Sequence, residues 1–218
     1  MELGLFVKYG PALLSGFGVT VLCWAVGTIG GLGLGFLIAL LQRYSTRPVR
    51  IVLQTYIEII RGTPYLVQLF LLYYGGPHLG LRLGSMEAGF ISLIIYGSPY
   101  FAEIFRGGLQ SVPAGQIEAA RSMGFAETTI IRRIMVPALL VSTLPALINF
   151  AIILTKETVI LSVVTVPELL YEVQTMSAET FAFVEATFAL AMFFWLFVET
   201  ISFLGRRLEA RVTRFLTK

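Results

Sequence analysis

The chain has 218 residues, of which 56% are hydrophobic and only 13% charged, with a formal net charge of +3. A soluble domain is roughly 45–50% apolar and about 25% charged, so composition excludes a disordered chain and argues against a soluble one. The small basic excess gathers into no single face, which also argues against a nucleic-acid binder despite a pI near 9.1.

A helix crossing a bilayer core of roughly 30 Å needs about 20 mostly apolar residues. The first charge-free run, Tyr9 to Gln42, is 34 residues long. It is too long for a signal peptide, and no small-residue cleavage site follows. Its Gly27, Gly30, Gly31, Gly33 and Gly35 suit a membrane helix, where small residues let neighbours approach closely. Further runs follow from Gly62 to Leu81, between Glu87 and Glu103, between Arg133 and Lys156, and from Ala186 to Val198. The expected architecture is all-α: a polytopic membrane protein with helices at about 12–42, 50–75, 86–106, 134–155 and 181–205, forming one transmembrane domain over 1–218. Pro137 and Pro145 mark the fourth helix as the one lining a pathway, because freed backbone groups are tolerated where they face a cavity.

Charge sets the expected orientation. Arg43, Arg47 and Arg50 follow the first helix; Arg106, Arg121, Arg132 and Arg133 lie between the third and fourth; Arg206, Arg207, Arg211, Arg214 and Lys218 follow the fifth. These are twelve of the sixteen basic residues, and the positive-inside rule puts them in the cytoplasm. The N-terminus is then outside and the C-terminus inside. Chemistry of the chain's own is not expected. There is one Cys (Cys23), one His (His78, in an outer loop) and no Asp, which leaves no metal site, triad or thiolate cluster. No Gly-x-x-x-x-Gly-Lys-Ser/Thr loop is present to hold nucleotide phosphates.

The most informative segment is cytoplasmic: Pro113-Ala114-Gly115-Gln116-Ile117-Glu118-Ala119-Ala120-Arg121-Ser122-Met123-Gly124. Pro113 can open a short helix and Gly124 can close it in the left-handed conformation. A short helix stopped at both ends, over about 113–124, offers a compact surface to a partner. Glu118-Ala119-Ala120, then Gly124, then Ile134-Met135-Val136-Pro137 resembles the coupling-helix motif of ABC importer permeases, with Val136 where the family has Leu. Arg61-Gly62-Thr63-Pro64 followed by Gln68, Lys156-Glu157-Thr158, and Thr165-Val166-Pro167-Glu168-Leu169 are similar to segments of the permeases for polar amino acids.

The resemblance covers nearly the whole chain and implies a type I ABC importer permease fold in the inner membrane of a bacterium. It also implies partners: a cytoplasmic ATPase dimer that carries ATP and Mg and docks on Glu118, Ala119, Ala120 and Gly124, a second permease subunit, identical or related, and an extracytoplasmic amino-acid-binding protein. No cofactor is expected on this chain. The rival expectation is a secondary transporter or channel. That would need an ion-coupling acid deep in a span, and only Glu58 and Glu103 come near one.

Glu58-Ile59-Ile60-Arg61-Gly62 and Glu103-Ile104-Phe105-Arg106-Gly107 are near copies, each expected to pair its charges at i,i+3 as a structural or gating bridge. Lys156 and Glu157 end a charge-free stretch at the outer membrane edge. An ammonium beside a carboxylate suits a zwitterion, with Lys156 for the α-carboxylate and Glu157 for an ammonium or polar side chain. Asn149 and Gln68 are the next candidates for substrate. Where relatives carry Asn-Glu, this chain has Asn149-Phe150, which points away from strongly cationic substrates.

Overall fold

The structure, a computed structural model, describes residues 3–216; Lys218 of the basic tail lies outside the described residues. It is helical throughout, without strands among them: α1 (Leu3–Tyr44), α2 (Arg47–Gly62), α3 (Tyr65–Phe70), α4 (Ser85–Gln110), α5 (Ala114–Ser122), α6 (Glu127–Ile130), α7 (Val136–Glu157), α8 (Leu169–Thr180) and α9 (Phe183–Leu216). Among the described residues, four helical stretches are long and apolar enough to cross a bilayer: Gly4–Tyr44, Ser85–Gln110, Glu127–Val164 and Phe183–Val212.

The second expected helix, 50–75, is not continuous. It breaks at Thr63 and Pro64, both extended at their caps of α2 and α3. Proline has no N–H to give the carbonyl four residues back, and it pushes the preceding residue out of the helical region. Beyond α3 the chain continues through a π turn at Leu71–Gly75 and a 3-10 turn at Gly76–Leu79. That turn carries the exposed His78 and ends at Gly80, whose φ is +83°. A second π turn, Ile131–Met135, precedes Pro137 and joins α6 to α7.

Hydrophobicity cannot drive one membrane helix onto another, since lipid is as apolar as leucine; close packing must do it. The glycines of α1 serve that end. Gly27, Gly31 and Gly35 recur at i+4 along one side, and face Leu93, Phe101 and the Ser98–Ala102 backbone of α4. α1 and α4 are accordingly the most extensively packed pair. The main core gathers Leu93, Phe101, Leu139 and Leu154 between α1, α4 and α7. The Trp24 indole N–H donates to the Ala151 carbonyl at 2.8 Å and ties α1 to α7.

A smaller core joins Tyr9 and Leu13 to Leu169, Val173 and Met176 of α8 and Ala186 and Ala189 of α9. α8 lies between the fourth and fifth expected helices. Its buried positions, Leu169, Val173 and Met176, follow helical spacing, but among polar neighbours.

Candidate functional site

Between Pro113 and Gly124 the chain forms the short helix α5, Ala114–Ser122. α5 begins after Pro113 and ends with the Phe125 N–H bonded to the Ala120 carbonyl at 3.1 Å and the Gly124 N–H to Arg121 O at 2.9 Å. Gly124 has φ +77°, the left-handed conformation that closes such a helix. Ile117 and Ala120 are buried and hold α5 onto the core. Ala120 is therefore an anchor, while Glu118 and Ala119 face outward. Beside them Met123 and Phe125 are exposed, giving the outward surface an apolar component that the motif did not advertise. Arg121 Nε donates to Glu127 Oε1 at 2.6 Å. This bridge crosses the turn from α5 into the run that becomes α7.

The break in the second helix explains Gln68. Pro64 leaves the Ile60 carbonyl without its helical donor, and the Gln68 side-chain amide replaces it at 2.7 Å. The same nitrogen reaches the Thr63 carbonyl at 3.0 Å. Gln68 thus secures the break, and only its Oε1, buried without a hydrogen-bond partner among the described residues, remains for anything else.

The two charge copies part company. Arg106 binds Glu103 in the fork geometry of a bidentate pair, Nε to Oε1 at 3.0 Å and Nη2 to Oε2 at 2.7 Å. Glu58 and Arg61 form no such bridge among the described residues. Glu58 accepts from Gln54 at 2.8 Å, and Arg61 turns across to α4, 3.9 Å from Glu103 Oε2. Spacing of i,i+3 permits a pair but does not compel one, and a carboxylate on the neighbouring helix competes for Arg61.

On α7, Asn149 and Lys156 are exposed two turns apart on one face, whereas Glu157 is half-buried on the side carrying Phe150. Consecutive helical residues point about 100° apart, so Lys156 and Glu157 diverge. One acid carried no prediction. Glu168 is fully buried and starts α8: its Oε1 accepts from the Tyr171 N–H at 3.0 Å, and Oε2 lies 3.4 Å from the Thr20 hydroxyl. That hydroxyl also accepts from the Leu169 N–H at 3.0 Å. Burial pushes the Glu168 carboxyl up to about 7, against the pull of its hydrogen bonds. Among the described residues no three His, Cys, Asp or Glu side chains group to hold a metal ion.

Comparison with known proteins gives one family. The model of the binding-protein-dependent transport system inner membrane component matches residues 31–214. A probable glutamine ABC transporter permease protein of Bacillus subtilis, GlnM, is 34% identical over 90% of this chain and 93% of its own. A putative glutamine transport system permease protein of Rickettsia bellii is 31% identical over 94% and 96%. A crystal structure of an amino acid ABC transporter with histidines superposes with a TM-score of 0.88 and 35% identity, covering 97% of this chain and 99% of that one. The inward-facing MetNI methionine ABC transporter shares the fold, with a TM-score of 0.73 at 18% identity.

Proposed function

The chain belongs to the binding-protein-dependent transport system inner membrane components, the permease subunits of ABC importers, and on that premise we propose that it carries polar amino acids inward. Relatives named for glutamine and arginine permeases support that substrate class. The observation that carries the coupling half is α5: an anchored helix stopped by Gly124, with Glu118, Ala119, Met123 and Phe125 turned outward.

In this account a cytoplasmic ATPase dimer holds ATP and Mg and seats on the outward side of α5. Displacement of α5 passes through the Arg121–Glu127 bridge into the unbroken helical run Glu127–Val164, and so to α7. An importer needs two alternative arrangements of its helices, each favoured by a different partner state. A rigid lever from α5 to α7 supplies the link between them. A second permease subunit completes the path, an extracytoplasmic binding protein delivers the amino acid, and Lys156 and Asn149 on the open face of α7 attract it at the outer end. Co-purification tests this directly. The tagged chain should bring down a nucleotide-binding subunit in equal amount, and Glu118→Lys should reduce the yield. A chain that purifies with no ATPase would overturn it.

We further infer five crossings: α1, the broken run from α2 to the Gly75 turn, α4, α6–α7 and α9. The broken run, Arg47–Gly75, has a length of about 43 Å at helical rise, enough to span. A reporter fused after Lys218 should read cytoplasmic and one near Leu79 external; both on one side would rule out the five-crossing arrangement.

A further inference from the structure

α8 is fastened to α1 through one buried acid. Glu168 is fully buried, and no cation pairs with it among the described residues. Its Oε1 accepts the Tyr171 N–H at 3.0 Å, and its Oε2 lies 3.4 Å from the Thr20 hydroxyl. The backbones also meet closely. A Cβ on Gly16, one turn before Thr20, would stand 3.1 Å from the Glu168 carbonyl oxygen and 2.7 Å from Glu172 Cγ. An acid held this way must have its charge offset by neutral donors alone, or give the charge up.

The Thr20 hydroxyl has one proton and two acceptors in reach, the Gly16 carbonyl at 3.2 Å and Glu168 Oε2 at 3.4 Å. Its oxygen already accepts the Leu169 N–H at 3.0 Å and has one lone pair left. A proton on Oε2 ends the competition, because Oε2 can then donate to that lone pair while Thr20 keeps its bond to Gly16. Ionised Glu168 has no proton to give and must draw the hydroxyl away from Gly16. The neutral acid therefore closes the joint more completely than the carboxylate. Burial favours the same form. Together with the charge of Glu172 it outweighs the hydrogen bonds from the Leu170 and Tyr171 N–H groups and from Thr20, and raises the carboxyl from an ordinary 4.5 to about 7. The other titratable group facing it is Cys23 of α1; the Thr158–Val164 turn contributes none.

The joint stands at the end of the run that carries α7. From Glu157 the chain continues through the 3-10 turn Thr158–Val164, in which Leu161 and Val164 are buried. It reverses at Thr165, φ +62°, with the Thr165 N–H on Ser162 O at 2.9 Å and the Val166 N–H on Leu161 O at 3.2 Å. Pro167 alone separates Val166 from Glu168. We propose that Glu168 is a proton-operated latch. With its proton it fixes α8 and the far end of the α7 run to α1; without it that end is released, so external pH sets how fully movement of α7 becomes uptake. The transport half rests on the chain's being an importer; the latch itself does not. The closed joint keeps its proton up to about pH 7, and the opened, hydrated acid only up to its ordinary 4.5. Closure is therefore firmest at acid pH, weakens as pH rises between those values, and changes no further above about 7.

Cys23 reports the joint without any transport. It is the only cysteine of the chain, it is buried, and it lies one turn beyond Thr20 on α1, so a methanethiosulfonate reagent reaches it when α8 lifts. The test is its labelling rate in the assembled permease–ATPase complex across pH 5–8, native against Glu168→Gln, read by the mass of this chain. The neutral amide stands in for the protonated acid at every pH. Thiolate formation speeds both alike, so the ratio isolates the latch. Native over variant should rise from about a few-fold near pH 5 to about a hundredfold at pH 7, then level off, as the displaced carboxyl requires. In proteoliposomes with binding protein, the maximal uptake rate of the native complex should fall over the same interval of external pH. That of Glu168→Gln should not, with KM moved equally in both.

A labelling ratio that stays flat with pH would overturn the latch. A ratio that rises while the two uptake profiles coincide would overturn its control of transport. If the native complex takes up no amino acid at any pH, the importer reading has failed, and the labelling ratio still decides the latch. Where Glu168→Gln does not assemble, Thr20→Val removes the hydroxyl on which the joint closes. It should label faster than the native chain at pH 5 and by a smaller factor at pH 8, while Thr20→Ser, which keeps the hydroxyl, follows the native curve. Thr20→Val labelling like the native chain throughout would overturn the proposal.

Discussion

A Gly124→Val chain should insert and fold, yet leave ATP hydrolysis uncoupled from transport. Gly124 sits at φ +77°, and nothing lies within 4 Å of where its Cβ would be. The penalty is therefore one of backbone conformation rather than crowding. A β-branched residue in that region costs roughly 1–2 kcal/mol or more, concentrated on the turn between α5 and α6. The left-handed turn gives way first, α5 loses its fixed angle, and the ATPase closes without moving α7. Uptake should fall at least tenfold while the chain's abundance in the membrane is kept. Gly115→Ala is the control, since Gly115 has open space and an ordinary helical φ. Substrate-stimulated hydrolysis and uptake at the intact level in Gly124→Val would contradict the coupling role of α5.

Gly35→Val should fail differently, by loss of the fold. A Cβ there would stand 2.7 Å from the Ser98 carbonyl oxygen and 2.9 Å from the Ala102 nitrogen. Those are backbone atoms of α4 and cannot rotate aside. Overpacking of a tight core costs about 1–3 kcal/mol, and a clash against backbone should reach the upper end by prising α1 from α4. Gly33→Ala, with open space, should be silent. A thermal melt of the detergent-solubilised chain reads the difference. An unchanged transition for Gly35→Val would mean that α1 and α4 do not pack as described.

Those two glycines also mark how far the sequence is legible. Gly124 was identifiable because helix termination is local: Pro113 and Gly124 bracket a short stretch of good helix formers, and no distant contact is needed to stop it. The long helices were legible for a similar reason, since exclusion of charge over twenty or more residues is a property of one strand of sequence. The break at Pro64 does not show in hydropathy, which integrates straight across a proline. Gln68 then looked like a substrate ligand, when half of its amide is bound by the carbonyls that the break releases.

What depends on a neighbouring helix was less visible. Glu58 and Arg61 have the spacing of a bridge, but Glu103 lies on α4 and draws Arg61 away. Glu168 reads as a loop acid after Pro167; only the arrival of Thr20 from α1 and the Tyr171 N–H turns it into a buried start for α8. α8 itself is short and half polar, because one face meets α1 and α9 while the other does not. Arg61 of α2, Tyr100 of α4 and Phe150 of α7 lie far apart in sequence, and their stacking exists only once those three helices have packed.

The most direct measurement is uptake by proteoliposomes holding this chain, its permease partner and its ATPase, with binding protein and labelled glutamine outside and ATP inside. Accumulation against a gradient that needs both ATP and binding protein, and that disappears in Gly124→Val, is the predicted result. Glutamine flux that proceeds without ATP, or that follows an imposed ion gradient, would contradict the account.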